Sequence, residues 1–301
     1  MVGKLPKLSY KGWWGSKVKL SGVGKAWAKG CGYYCCGPSP WPVLVCLSLG
    51  VLLSGLVLFL HKGENWWDFM GVLGMASGMA LAGYGVNMWM LDIVCEATYL
   101  KSYGVVVRRS LKLGFILFML SESFFFVGFF WAWFHIGVGS LSSGKEWPPW
   151  PLIPVNPWGI PLFNTFVLLT SGATISWGYE CLKLKSSRRE AISTFLVSGC
   201  LGLVFVGLQL KEYYGSSFTI ADGGYGSAFY MLTGLHGLHV FCGLVFIFVC
   251  ALRIYLHHFS EEESAYQGVS FCVWYWHFVD VVWLFVFFWC YVWPYYSGSG
   301  G

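Results

Sequence analysis

Seven long apolar stretches divide the sequence, and they constrain the fold more than any other feature. A membrane-spanning helix needs about 20 consecutive, mostly apolar residues, and each stretch approaches or exceeds that length. We therefore predict an all-α membrane protein with seven transmembrane helices. The stretches run over residues 42–60, 68–91, 112–138, 158–182, 191–210, 227–256 and 267–293.

The composition supports a membrane protein and argues against a soluble domain. Hydrophobic residues make up 56% of the chain and charged residues only 11%, whereas soluble domains carry about 25% charged residues. Most of the eleven cysteines are scattered inside the apolar stretches, where cysteine acts as a small hydrophobic residue. A disulfide framework is therefore not expected.

The basic residues predict the orientation. If all seven stretches cross the membrane, 16 of the 19 lysines and arginines lie on one side of it, which is the side of the N-terminal segment. Positive charge gathers on the cytoplasmic or matrix side, so the N-terminus is placed there and the C-terminus on the opposite side. Residues 1–41 contain seven lysines and no acidic residue. We interpret them as a basic tail against an anionic membrane surface, with a targeting segment as the alternative.

One carboxylate lies near the middle of the third stretch. Glu122 is embedded in "GFILFMLSESFFFVGFFWAWFH", and a charged side chain at the centre of a bilayer costs at least about 2.5–3 kcal/mol. The residue therefore needs either a partner or a proton.

Two histidines three residues apart raise the question of a metal site. His236 and His239 lie in "GLHGLHV" and can share one helical face, which suits metal binding. Gly234, Gly237 and Gly243 surround them, and small residues at such spacing are typical of close helix packing, where histidines form hydrogen bonds between helices. The spacing alone leaves both interpretations open.

A second polar pair occurs in the last stretch. His277 and Asp280 in "WYWHFVDVVWLF" are again three residues apart. The simplest interpretation is a satisfied polar pair facing the protein interior, and a proton relay is the alternative. The chain has too few ionisable residues within its stretches to build a proton pump alone.

Taken together, the motifs resemble cytochrome c oxidase subunit III. The resemblance covers the chain from about Pro38 to the last stretch. It is carried by "PSPWP", "SESFFFVGFFWAWFH", "NPWGIPLFNT", "LQLKEYYGSSFTIADGGYGSAFYMLTGLHGLHVFCG" and "YWHFVDVVWLF". It implies a two-helix bundle (42–91), a loop (92–111) and a five-helix bundle (112–301), with a V-shaped lipid cleft between the two bundles.

The resemblance also implies the function. Members of this family are accessory subunits that stabilise the catalytic subunit I, support proton uptake and give oxygen access. Haem a and copper lie in partner subunits, and no cofactor, metal or nucleic acid is expected on this chain. Bound phospholipids such as cardiolipin, phosphatidylethanolamine or phosphatidylglycerol are expected. The biased codon usage implied by abundant Gly, Val, Phe, Trp and Cys favours a mitochondrial gene and hence the mitochondrial inner membrane.

Site residues follow from the matched motifs. Trp89, Glu96, Glu122, Arg253 and His258 match family positions beside lipid, and an arginine suits phosphate through two parallel hydrogen bonds. We expect Glu122 to be protonated or paired with a polar partner. The resemblance assigns the other intramembrane polar residues to packing and polar networks; they are His135, His236, His239, His277 and Asp280.

Some residues depart from the family pattern. Members of the family commonly carry an arginine and two histidines after the second stretch and a histidine at the end of the fourth. This sequence has other residues at those positions. Lipid binding near the second stretch is therefore either absent or uses other residues, such as Lys101 or Arg108. The replacing residues are Cys95, Ser102, Tyr103 and Glu180.

Two alternatives stay open at this stage. The equivalent subunit of a quinol oxidase would share the fold. A stand-alone membrane transporter is the alternative from another class, although transporters of that kind usually carry internal repeats and broken helices, which are not evident in this sequence.

Overall fold

The computed structural model describes residues 39–61, 65–99, 103–259 and 266–298. Almost all of the predicted basic tail, and Lys101, lie outside the described residues. Within them the chain is helical and contains no strand.

Seven helices are long and apolar enough to cross a membrane, which confirms the predicted number and fold class. They are α1 (Trp41–Leu60), α2 (Asn65–Val94), α3 (Val105–Ser142), α4 (Ile160–Lys183), α5 (Arg188–Gly215), α6 (Gly223–Tyr255) and α7 (Gln267–Val286). A π-helical turn, Cys95–Tyr99, continues α2. A second one, Phe287–Val292, joins α7 to the short α8 (Trp293–Gly298).

The segment predicted as a loop, 92–111, is largely helical. Helical backbone continues to Tyr99 and resumes at Val105. The apolar pattern marks the part of a helix that lies in hydrocarbon, whereas backbone hydrogen bonding continues until a residue interrupts it. No proline occurs between 92 and 111. Arg108, Arg109 and Lys112 therefore lie on the first turns of α3.

The chain forms two compact units, residues 1–111 and 112–301. The first contains α1 and α2, which pack through glycines. A Cβ atom on Gly55 would lie 2.6 Å from the backbone nitrogen of Met75, and one on Gly78 would lie 2.6 Å from that of Leu52. Such close backbone approach is typical of small residues between membrane helices.

In the second unit, α4 and α5 are antiparallel neighbours: Thr174 on α4 bonds Ser198 on α5, and Gly178 lies against Phe195. Together with α6 and α7 they enclose the core. Aromatic residues dominate its fully buried side chains, including Phe195, Phe205, Phe229, Trp276 and Trp283.

The outward surfaces of the spans are strongly apolar. Trp131 on α3, Phe163 on α4 and Leu238 on α6 each expose more than half of their surface. Such surfaces require hydrocarbon or another protein around them. The fold thus supplies seven helices for a bilayer and a tightly packed unit of buried polar contacts, described next.

The second unit has two ends that differ in charge and in backbone structure. The basic end contains residues 183–189 and 253–258, where α4 meets α5 and α6 ends. The opposite end contains residues 143–160 and 211–223, where α3 ends, α5 meets α6 and the proline-rich segment runs without helix.

Candidate functional site

The carboxylate of Glu122 meets an imidazole. Its Oε2 lies 3.0 Å from Nε2 of His239, which joins α3 to α6. The other ring nitrogen, Nδ1, lies 2.9 Å from the carbonyl oxygen of Leu235 one turn earlier. The ring of Phe126 packs 4.9 Å from the imidazole. Both side chains are mostly buried, 24% exposed for Glu122 and 11% for His239.

The geometry sets how many protons this pair holds. A carbonyl oxygen can only accept, so Nδ1 of His239 carries a hydrogen. The contact between Nε2 and Glu122 is then a hydrogen bond only if one proton lies between the two atoms. The pair is therefore either a neutral acid with a neutral imidazole or a carboxylate with an imidazolium. Both forms are neutral overall, which lowers the cost of placing them in a membrane.

The neighbouring histidine on α6 is used differently. His236 is fully buried, and its Nε2 donates to the carbonyl oxygen of Val279 on α7 at 3.2 Å. Its ring packs against Phe205 on α5 and Trp283 on α7. His236 thus links α6 to α7, whereas His239 links α6 to α3. The two histidines, three residues apart, therefore make two separate contacts between helices.

Only one of the three glycines around these histidines serves close packing inside the described chain. A Cβ atom on Gly243 would lie 2.7 Å from the ring of Trp276, whereas Gly234 and Gly237 face open space. The prediction of close helix packing is therefore wrong for Gly234 and Gly237 within the described residues. Spacing along a helix does not reveal which face meets a neighbour.

A row of hydroxyl groups on α4 meets donors on α7. Ser176 Oγ lies 2.7 Å from Nε2 of His277, and Nδ1 of that ring lies 3.4 Å from Oδ2 of Asp280. The indole nitrogens of Trp276 and Trp283 donate to hydroxyl groups at 2.9 Å; the acceptors are Ser171 and Thr165. These contacts form a polar seam, which comprises these seven residues and fixes the register of α4 on α7.

A glycine on α4 makes room for the seam. Asp280 is buried, and its Oδ2 lies directly against the α-carbon side of Gly172, where a Cβ atom would overlap it. The predicted His277–Asp280 pair is thus found at the surface of α4, and Gly172 is a residue that the sequence analysis missed.

The predicted lipid residues of the first unit lie on one helical stretch. Trp89 is half-buried on α2, and Glu96 follows two turns later in the π-helical turn. Tyr103 donates a hydrogen bond to Oε2 of Glu96 at 3.0 Å. The family resemblance leads us to expect histidine at position 103, and in this chain Tyr103 supplies the hydrogen bond to Glu96.

The predicted basic residues, Arg253 and His258, meet at the end of α6. The helix ends in a Schellman motif: His257 adopts a φ of 60°, and the backbone N–H of His258 donates to the carbonyl oxygen of Arg253 at 3.1 Å. The Arg253 guanidinium lies 4.7 Å from the ring centre of Phe259. Burial, and then the charge of Arg253, lower the pKa of His258 below its ordinary value. The motif makes one basic site from two residues five positions apart.

His135 lies apart from these contacts. It is exposed on α3 and lines an apolar groove of about 790 Å³. Aromatic side chains of α3, of α7 and of the π-helical turn after α7 form most of the wall; they include Phe130, Trp131, Phe134, Phe285 and Trp289.

A further buried polar cluster lies near the opposite end and was not predicted. Nε2 of Gln209 donates to Oε1 of Glu212 at 3.2 Å and to the hydroxyl of Tyr291 at 3.0 Å. All three side chains are buried. Glu212 follows the predicted fifth stretch by two residues, so the apolar pattern placed it in a loop. In the structure it lies on the last turn of α5.

The described residues contain no group of three or more His, Cys, Asp and Glu side chains that could hold a metal ion. The site is instead a set of hydrogen bonds between membrane helices, with basic residues gathered at one end.

Comparison with known proteins identifies the family. The sequence profile of cytochrome c oxidase subunit III matches residues 31–295. Proteins named cytochrome c oxidase subunit 3 from Tachyglossus aculeatus aculeatus and Patiria pectinifera are both 42% identical to the chain. The match with the first protein spans 87% of this chain and 97% of the relative, and the match with the second spans 85% of this chain and 95% of the relative. The protein of that name from Didelphis virginiana is 43% identical over 84% of this chain and 86% of its own. With seven membrane-type helices and a match over most of its length, the chain belongs to the cytochrome c oxidase subunit III family and is a subunit of a terminal oxidase complex.

Proposed function

We propose that the chain is the accessory, non-redox subunit of the proton-pumping oxidase that reduces O2 to water with electrons from cytochrome c. It lies in the mitochondrial inner membrane, with its N-terminus in the matrix and its C-terminus on the intermembrane-space side. It packs mainly against the catalytic subunit I and stabilises it. Family membership and the gathering of 16 of 19 basic residues on one side support this proposal.

The observation that carries the non-redox role is the use of the intramembrane histidines. His236 donates to a backbone carbonyl of α7, His239 bonds Glu122, and His277 bonds Ser176. Each ring uses one nitrogen for a contact with a neighbouring helix, and a metal ion would compete for those nitrogens. The haem a and copper of the complex are accordingly assigned to partner subunits.

The lipid-binding role rests on charges at helix ends. Arg253 and His258 form one basic site next to Phe259, and a guanidinium binds phosphate through two parallel hydrogen bonds. Trp89 and Glu96 are proposed to contact lipid headgroups in the first unit. The bound lipids are of the cardiolipin, phosphatidylethanolamine or phosphatidylglycerol type. The V-shaped cleft that would hold them rests on the family resemblance alone.

The proposed support of proton uptake and oxygen access centres on Glu122. The Glu122–His239 pair holds one proton between two helices, so it keeps its neutrality without a counter-ion. A polar pair that is neutral overall lets the surroundings stay apolar, which favours dissolved O2 over ions.

Purification through an affinity tag on this chain tests the main proposal. A haem-bearing partner should co-purify in a fixed ratio and oxidise reduced cytochrome c. The chain stripped from that partner should show no visible absorption. Oxidation of quinol in place of cytochrome c would favour the quinol oxidase, and stable solute transport by the isolated chain would favour a transporter.

A matched pair of variants tests the lipid role. Arg253→Gln should reduce the amount of anionic phospholipid retained by the purified complex. Arg189→Gln removes an exposed arginine at the same basic end and should leave retention unchanged. Equal retention in both variants would count against Arg253 as a lipid ligand.

A further inference from the structure

A buried carboxyl group at the opposite end has few hydrogen-bond donors around it. Glu212, on the last turn of α5, is only 6% exposed, and Gln209 and Tyr291 are buried beside it. Nε2 of Gln209 donates to Oε1 of Glu212 at 3.2 Å and to the hydroxyl oxygen of Tyr291 at 3.0 Å. Because Tyr291 lies in the π-helical turn after α7, the three side chains join that turn to α5.

The three side chains have fewer hydrogens than oxygen atoms. An amide supplies two N–H donors and a phenol one O–H donor, whereas a carboxylate supplies none. Three hydrogens therefore serve four oxygens, of which two belong to Glu212 and one each to Gln209 and Tyr291. Oε2 of Glu212 and Oε1 of Gln209 receive no hydrogen bond from any described residue. Native proteins rarely leave buried polar atoms in this state.

Within the described residues, no positive charge is paired with this carboxyl group. Lys211 precedes Glu212 on α5, but adjacent residues on a helix do not face each other, and Lys211 takes part in none of the salt bridges formed in this part of the chain. The titratable side chains that come near Glu212 are those of Tyr213 and Tyr291, and phenols are uncharged at neutral pH. An ionised Glu212 would thus be a buried charge without a counter-ion, which is strongly unfavourable.

One proton supplies both missing contacts. The amide of Gln209 and the carboxyl group of Glu212 are planar groups three residues apart on one helix, and they are already joined through Nε2 and Oε1. A hydrogen on Oε2 of Glu212 has an acceptor in Oε1 of Gln209. The two groups then form a cyclic acid–amide pair with two hydrogen bonds, which is neutral and leaves neither oxygen without a partner.

We propose that Glu212 is a proton-binding site, which holds one proton on Oε2 and donates it to Gln209. The bound proton helps to fasten the π-helical turn to α5, because the same amide of Gln209 donates to Tyr291. Glu212 is thus a second buried carboxyl group, besides Glu122, that the fold keeps without net charge. The proposal goes beyond the proposed function, since it concerns residues to which no role was assigned and rests on contacts within this chain alone.

Infrared difference spectroscopy of the whole oxidase complex tests the protonation state. At about pH 7.5 an exposed glutamate is ionised, so a protonated-carboxyl band at this pH comes from a buried acid. Glu212→Gln should remove one such band, which should also shift when the wild-type complex is transferred to D2O. Glu180→Gln replaces an exposed glutamate at the basic end and should remove a carboxylate band instead. Loss of a carboxylate band in Glu212→Gln would overturn the proposal.

Variants of the neighbouring side chains test the hydrogen-bonded pair. Gln209→Leu removes the acceptor of the proton, and Tyr291→Phe removes the hydroxyl group beside it, so each should shift the Glu212 band without abolishing it. Tyr214→Phe changes an exposed phenol on the same helix and should leave the band where it is. An unshifted band in both Gln209→Leu and Tyr291→Phe would refute the pair.

The thermal midpoint of the complex gives an independent test. Glu212→Gln places an N–H where the neutral acid has its O–H, so the midpoint should stay within about 2 °C of the wild type. Glu212→Leu leaves the amide of Gln209 unpaired and should lower the midpoint by roughly 4–8 °C. Equal losses in the two variants would contradict the proposal. Failure of Glu212→Gln to assemble, measured by haem content, would also contradict it, because the amide makes the same contacts as the protonated acid.

Discussion

Replacement of Gly172 by alanine should destabilise the second unit through Asp280. A Cβ atom at this position would overlap Oδ2 of Asp280 and lie 3.4 Å from both Cγ of that residue and Cε1 of His277. The backbone of α4 cannot withdraw, because Ser171 and Ser176 hold it against α7. The carboxylate must therefore move away from His277.

The magnitude follows from two opposing effects. Alanine in place of glycine stabilises a helix by about 0.5–1 kcal/mol. Displacing Oδ2 of Asp280 from its packed position costs about 1–3 kcal/mol, and loss of its contact with His277, whose side chain is 45% exposed, adds about 0.5–1.5 kcal/mol. The net loss is about 2 kcal/mol, which corresponds to a midpoint lower by roughly 4–8 °C.

Thermal dissociation of the purified complex measures this change. Gly207→Ala on α5 is the matched control, since nothing lies within 4 Å of its added Cβ atom, and it should leave the midpoint equal or slightly higher. Asp280→Ala should remove the effect, so that Gly172→Ala costs little in that background. A Gly172→Ala midpoint equal to that of Gly207→Ala would refute the reasoning.

Three further predictions concern other contacts. The infrared spectrum of Glu122→Gln should lose either a protonated-carboxyl band or a carboxylate band, depending on which partner holds the proton. A spectrum that keeps every band would contradict the shared proton. Glu122→Leu should lower the stability by about 1–3 kcal/mol, because it leaves Nε2 of His239 unpaired. Because burial and Arg253 lower the pKa of His258, the folded state binds this proton less tightly than the unfolded state, so stability should fall as pH drops below about 6.5. His258→Gln should flatten the dependence of the thermal midpoint between pH 7.5 and 5.5, and an unchanged slope would argue against it. Gly55→Ala should cost about 1–3 kcal/mol by forcing α1 from α2, whereas Gly50→Ala meets nothing within 4 Å; equal yields and thermal midpoints for the two variants would disprove close packing at Gly55.

The number and positions of the spans could be predicted because the bilayer imposes a length requirement on apolar segments. The ends of the helices could not. The helical backbone extends past the apolar stretch wherever no proline or strong turn stops it, which is why Arg108 lies on α3 and Glu212 on α5. Hydropathy therefore predicted the segments that cross the hydrocarbon, but it did not place the carboxylate of Glu212 on the helix that ends there.

The candidate site was predictable in part. Glu122 in the middle of an apolar stretch required a proton or a partner, and the sequence pattern could state that need without naming His239, 117 positions later. The approach of Arg253 to His258 depends on the left-handed backbone of His257, for which a histidine gives no strong signal. Gly172 looked like any other membrane glycine until the position of Asp280 distinguished it.

By itself, the sequence determined the environment of the chain: seven crossings, a basic side, and a small set of polar residues that hydrocarbon would not tolerate alone. These properties follow from transfer free energies, which depend on residue type and on local pattern. Only the tertiary structure decided which polar groups meet, because contacts such as Glu122 with His239 or Gly172 with Asp280 join residues far apart in the chain. Their pairing depends on how the helices rotate and slide against one another, and close packing of aromatic and glycine residues sets that register.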